Sequence, residues 1–157
     1  MPRRSVVVAI LNALLLLFGL SVATVSAAHS PGAHIFVVQL TGGAEVPGPG
    51  DPDASGTAAV LVVPAADLIC YRLTWQGIDG TVFGAHIHEG TADEAGPIAV
   101  TLFGAPHDPS PGFSGTGSFK SCTRSAEADD IAENPENYYV NIHSDIYPDG
   151  AIRGQLD

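Results

Sequence analysis

The sequence predicts an all-β domain, an antiparallel sandwich or barrel of about eight strands with one short helix. Three observations lead there. Short runs rich in Val, Ile, Tyr, Phe and Thr recur along the chain. Clusters of Gly, Pro and Asp separate them, as in PGPGDPDASG at 47–56, Gly77 to Gly80, and Tyr147-Pro148-Asp149-Gly150. Several short strands at such spacing favour a sandwich or barrel over any layered α/β design. One stretch, SAEADDIAEN from Ser125 to Asn134, has a helical signature, with Ser125 as candidate N-cap and acids in the first turn.

The elements follow in order. Arg3 and Arg4 precede an apolar run from Val6 to Leu20, and small residues follow in SVATVSAAHS. A positive start, an apolar middle and a small-residue site predict a secretory signal peptide over residues 1–27; an uncleaved membrane anchor is the competing reading, disfavoured by the polar and small residues after Leu20. Cleavage after Ala27 leaves Ala28 first, and cleavage one residue later leaves His29 first. Residues 28–33 are expected to form a flexible leader, and residues 34–157 a single β domain with no internal repeat. Strands are expected near 34–40 (HIFVVQL), 57–63 (TAAVLVV), 68–75 (LICYRLTW), 82–88 (VFGAHIH) and 97–103 (PIAVTLF). Three more are expected near 114–119 (SGTGSF), 138–143 (YYVNIH) and 151–156 (AIRGQL).

Charge narrows the partners. The whole chain carries a formal −11, and every acid lies after residue 28. Without Arg3 and Arg4, four basic residues face 17 acids, a net charge of −13. That balance argues against nucleic acid and against anionic membrane surfaces, so no membrane partner is expected after signal cleavage. It suits a cation, although most of these acids are expected to be solvated surface. Two cysteines, Cys70 and Cys122, form an even pair in an exported chain, so a disulfide is expected. It would close a loop of about 50 residues, worth about 3–4 kcal/mol on the chain-entropy model. The alternative is two buried thiols. The spacing fits neither a redox CxxC motif nor a structural zinc site.

The chemistry concentrates in histidines. FGAHIHEG (Phe83 to Gly90) places His86 and His88 on one face of a strand, about 7 Å apart, with Ala85 and Ile87 on the other. YYVNIH places Tyr139, Asn141 and His143 on one face, with Val140 and Ile142 behind. If the two strands are neighbours, three imidazoles meet on one surface, a donor set that suits copper or zinc. An incidental polar face is the competing reading. His107, in a loop, and His29 and His34, near the mature terminus, are candidate fourth ligands. Glu89 follows the histidine pair but faces away from it, and Asp145 and Asp149 read as turn residues. No nucleophile elbow, Ser-His-Asp order or phosphate loop appears, so hydrolase and nucleotide chemistry have no support.

Several long segments carry a resemblance. LTGGAEVPGPGDPDASGTAAV (Leu40 to Val60), YRLTWQGIDGTVFGAHIHEG, AGPIAVTLFG and ENPENYYVNIHSDIYPDGAIRGQL occur in the order seen in the CHRD family, the domain first described in chordin. The chain is similar to that family over nearly its whole mature length. The resemblance implies an immunoglobulin-like sandwich and an extracellular or periplasmic setting, with an interaction role. A shorter likeness bears on chemistry. GAHIHEG, then Ala95 to Pro97, then VNIHSD and a late arginine resemble the copper site of copper/zinc superoxide dismutases. It implies a dismutase-like Greek-key barrel, with His86, His88 and His143 as copper ligands and Arg153 as an anion guide. Ile98 stands where that family has its bridging histidine, the zinc-loop ligands are absent, and the loop before Arg153 is short. A bimetallic site is therefore not expected, and an enzyme is the minor expectation. Two readings stand: an exported copper-binding module (zinc the alternative ion), and an extracellular protein-interaction module without a metal.

Overall fold

The computed structural model describes residues 32–104 and 112–157. The expected signal peptide, His29 and His107 lie outside the described residues. Eight antiparallel strands form one continuous sheet: β1 (His34–Thr41), β2 (Ser55–Val63), β3 (Leu68–Gln76), β4 (Val82–Glu89), β5 (Ile98–Phe103), β6 (Gly117–Arg124), β7 (Tyr138–Ser144) and β8 (Ile152–Gln155). Their spatial order is β5-β4-β7-β8-β1-β2-β3-β6, so the chain crosses between β3 and β4 and again between β6 and β7. The sheet curls into a nearly closed barrel, and its gap lies between β5 and β6. Packed rings fill that gap: Phe103 lies 4.8 Å from Phe119 and 5.3 Å from Phe113, centroid to centroid. The Tyr71 hydroxyl donates to the Leu102 carbonyl across it.

Period-two patterning builds the core. In β3, Ile69, Tyr71, Leu73 and Trp75 point inward and are buried, while Cys70, Arg72, Thr74 and Gln76 point outward. β1 places Val38 and Leu40 inside and leaves Ile35 and Val37 exposed. β4 and β7 differ, because every residue of β7 and all but Glu89 of β4 are buried. Their inward sides are aliphatic (Ala85, Ile87, Val140, Ile142), and their outward sides carry His86, His88, Asn141 and His143, with Phe83 beside them. Something must therefore cover the polar side, and loops do.

Two local expectations need correction. β6 runs over 117–124 rather than 114–119, because the alternation Ser118, Lys120, Cys122 continues its ladder with β3. The helix, α1, is only Ala128–Glu133. Ser125 does not cap it; its hydroxyl accepts from the Glu127 amide in the turn before. α1 buries Ala128, Ile131 and Ala132 against the core.

Cys70 and Cys122 are directly opposite in the β3–β6 ladder and are joined as a disulfide. The intact folded protein is expected to show the unreduced mass, two hydrogens below the dithiol, with no thiol open to alkylation. Two alkylatable thiols in the native protein would contradict the pairing.

Candidate metal centre

The β4–β7 register sets the site. Gly84 faces His143, His86 faces Asn141, and His88 faces Tyr139. All these side chains project from the outward side of the sheet. Register shifts against β5 fall between Ala85 and His86 and between Ile87 and His88. Such bulges bend a strand and re-aim its side chains. His86, His88 and His143 are 1, 8 and 5 % exposed, and each offers a ring nitrogen within 4.8 Å of the other two. Ring centroids are 4.9 Å apart for His86 and His143, 5.6 Å for His86 and His88, and 5.7 Å for His88 and His143.

Hydrogen bonding sets the tautomers. The Nδ1–H of His88 donates to the Gly96 carbonyl at 2.9 Å, and that of His143 donates to the Pro148 carbonyl at 3.0 Å. A carbonyl only accepts, so in each neutral ring Nε2 carries the lone pair. A ligating histidine is usually held in this way, by its other ring nitrogen. The His88 Nε2 is buried and has no hydrogen-bond partner. Burial pushes the His88 ring below its ordinary pKa, the Gly96 carbonyl opposes that push, and Arg153 adds to it. The ring is thus neutral at pH 7, the form that a cation needs.

Two loops roof the site. The segment after β4 folds back so that Glu89 N–H reaches the Pro97 carbonyl (3.1 Å) and Gly90 N–H the Asn137 carbonyl (2.6 Å). Gly96 makes this possible, because a Cβ there would fall 1.5 Å from the Glu89 carbonyl oxygen. The Gly96 amide donates to the Tyr139 hydroxyl at 3.0 Å. Tyr139 is stacked on His88, 4.9 Å between centroids at 10°. Arg153, from β8, lies 3.4 Å over the same Tyr139 ring. Its guanidinium donates to the Glu94 carbonyl (2.8 Å) and the Thr91 carbonyl (2.7 Å), and Gln155 donates to the Gly90 carbonyl (2.8 Å). Arg153 is 2 % exposed, so it works here as a clamp on the loop that supports His88.

The second roof is the glycine-rich segment after β1. Glu45 is 7 % exposed and accepts from Asn141 Nδ2 at 3.2 Å. Gly150 has φ 147°, and a Cβ on it would lie 2.4 Å from Glu45 Oε2 and 2.6 Å from Asn141 Nδ2. The β7–β8 turn therefore presses directly on this pair. Burial raises the Glu45 carboxyl to about 8, against lowering by Arg153 and Asn141. The carboxyl therefore holds its proton to higher pH than an ordinary carboxylate, and both Glu45 Oε1 and Asn141 Oδ1 are buried without a hydrogen-bond partner.

The cleft above the histidines holds about 150 Å³ and is lined by Phe83, Ile98, Pro148 and Asp149 beside the three rings. That is small against the volumes of drug-sized ligand sites, roughly 300–1,000 Å³, and suits an ion or a few-atom ligand. The geometry gathers His86, His88 and His143, and leaves His34 apart at the start of β1, stacked on Phe36. Glu89 is exposed at the end of β4. Asp145 accepts from the Thr81 amide at 2.6 Å, as a turn residue. Sequence reading missed Glu45, Gln155 and the stacking role of Tyr139. The available signals were that Tyr139 shares a face with His143 and that Glu45 lies in the segment Leu40 to Val60 that carries the family resemblance.

Fold and site together define a Greek-key β barrel with a buried three-histidine cluster near one sheet end. The chain belongs to the CHRD domain family, which it matches over residues 36–156. No curated protein and no solved structure is matched by the chain. Among the described residues, no helix is long and apolar enough to cross a membrane.

Proposed function

We propose that this CHRD-domain protein is exported and binds one copper ion through His86, His88 and His143. The supporting observation is the cluster itself: three buried imidazoles with donor atoms within 4.8 Å. Three nitrogens at about 2.0 Å from one ion lie roughly 3.4 Å apart, so closure takes sub-ångström shifts of each ring. Nitrogen donors and the Irving–Williams order favour Cu(II) over other divalent ions, and zinc, which three histidines also hold, is the alternative ion. Bound copper would supply redox or Lewis-acid chemistry, while this chain's residues hold the ring tautomers and line the cleft. Asp149 at the cleft and the general negative charge favour a cation's approach. Arg153 is buried and committed to carbonyls, so superoxide turnover is not part of this proposal. Family membership favours a second reading, an extracellular interaction module without a metal.

A calorimetric copper titration above pH 7, against a competing chelator, separates the two. One tight ion per chain is expected, weakening as pH falls below roughly 6.5 because each ligand ring must be neutral. Weak, multi-site binding without that pH dependence would assign the copper to surface carboxylates and favour the interaction module.

A further inference from the structure

The opposite side of the barrel carries a different chemistry. The outward positions of β1, β2, β3 and β6 include no Asp or Glu, in a chain with 17 of them. Three of the four basic residues among the described ones, Arg72, Lys120 and Arg124, lie there and are exposed. The fourth, Arg153, is buried. Arg72 and Lys120 are direct partners in the β3–β6 ladder, one step along the same face from the Cys70–Cys122 pair. A shallow depression opens over the disulfide, lined by Ile35 and Leu61 on one side and by Arg72 and Lys120 on the other. Cys122 is exposed and Cys70 is partly so. The apolar core lies behind the sheet, and β3 and β6 are also joined by a backbone ladder that runs from Leu68–Arg124 to Trp75–Gly117.

We propose that Cys70–Cys122 is a thiol–disulfide exchange site for anionic thiols. An incoming thiolate attacks Cys122 Sγ; the new S–S bond forms as the Cys70–Cys122 bond breaks, and Cys70 leaves as a thiolate. Exchange is isoelectronic, so the products are a mixed disulfide on Cys122 and one free thiol, with no further oxidant. A second thiolate releases the adduct as a small disulfide and leaves two protein thiols. Topology selects the sulfur. β6 is the last hydrogen-bonded strand before the gap, so no paired strand lies beyond Cys122, whereas β2 lies beyond Cys70, with Leu61 paired to it. Arg72 and Lys120 attract the anionic reagent and favour the departing thiolate.

The test compares two small thiols at equal thiolate concentration, with a chelator present and without denaturant, and each rate is divided by that thiol's rate with an uncharged small disulfide to remove its intrinsic nucleophilicity. They are 2-mercaptoethanesulfonate, an anion, and cysteamine, a cation. The net negative charge of the chain alone would make cysteamine the faster reagent. The local patch reverses that order, and we expect the sulfonate to react about fivefold faster at low salt, with the ratio approaching one near 1 M salt. Arg72→Gln with Lys120→Gln should abolish the sulfonate's advantage. Alkylation and peptide mass mapping should place the adduct on Cys122 and the alkyl group on Cys70, while Trp75 fluorescence stays native. Faster cysteamine, equal rates at low salt, an adduct on Cys70, or reaction only in denaturant would each overturn the proposal.

Discussion

Replacing Glu45 by Gln is expected to stabilise the metal-free protein at pH 8 and to change little at pH 5. The Glu45 carboxyl sits at about 8 in the folded chain, against 4.5 as its ordinary value, chiefly because burial disfavours its charge. The folded state therefore holds this proton more tightly than the unfolded chain does. The stability tied to it is complete below pH 4.5 and is lost as pH rises towards 8. At about 1.4 kcal/mol per pH unit, the loss by pH 8 is on the order of 4 kcal/mol. Glutamine keeps the shape and, like the protonated acid, offers one acceptor and one donor to the Asn141 amide. His88 contributes in the other direction, because burial lowers its pKa. Its share is present above about 6.5 and lost as pH falls, so the wild-type profile alone mixes opposite slopes. The difference between wild type and Glu45→Gln isolates the carboxyl. Urea midpoints at pH 5, 6.5 and 8 measure it. Parallel profiles for the two proteins would show that Glu45 is ionised, and paired with Arg153, in the native state.

How far the sequence could reach follows from the range of each interaction. Alternation is local, so the strands and the facing of His86, His88 and His143 could be read from a few residues each. The pairing of Cys70 with Cys122 was expected from an even cysteine pair alone, but their opposition in the β3–β6 ladder was not, because the expected strand stopped at 119. β6 was displaced because SGTGSF has strand composition, while its pairing is set by β3 far away in sequence. The roof of the site was not legible. Glu45 lies 96 residues from Asn141, within a stretch whose glycines and prolines read simply as turns. Nothing in its neighbours says that its carboxyl will be enclosed by Gly150 on the far side of the chain. Arg153 is the sharper lesson. An exposed arginine near a histidine cluster and a buried one look alike in sequence. Only the carbonyls of Thr91 and Glu94, which require the folded loop, distinguish a clamp from a guide.

The largest expected effect on binding comes from the ligands themselves. His86→Ala, His88→Ala and His143→Ala should each weaken copper binding more than 100-fold, while His34→Ala and His107→Ala leave it within about twofold. Loss of a supporting hydrogen bond around a metal ligand commonly costs about 10–100-fold, and loss of the ligand must exceed that. The supporting contacts give an internal scale. Tyr139→Leu removes the ring between His88 and Arg153, together with the hydroxyl that receives the Gly96 amide. It should fall between the two groups, at about tenfold, because His88 then loses its packing but keeps Nε2. A tenfold change corresponds to about 1.4 kcal/mol, well within the reach of chelator competition. Circular dichroism on each variant separates lost binding from lost folding, since these side chains are buried. If His88→Ala and His34→Ala bind copper alike, the cluster is a polar seam beneath two loops, and the protein's function must be sought on its surfaces.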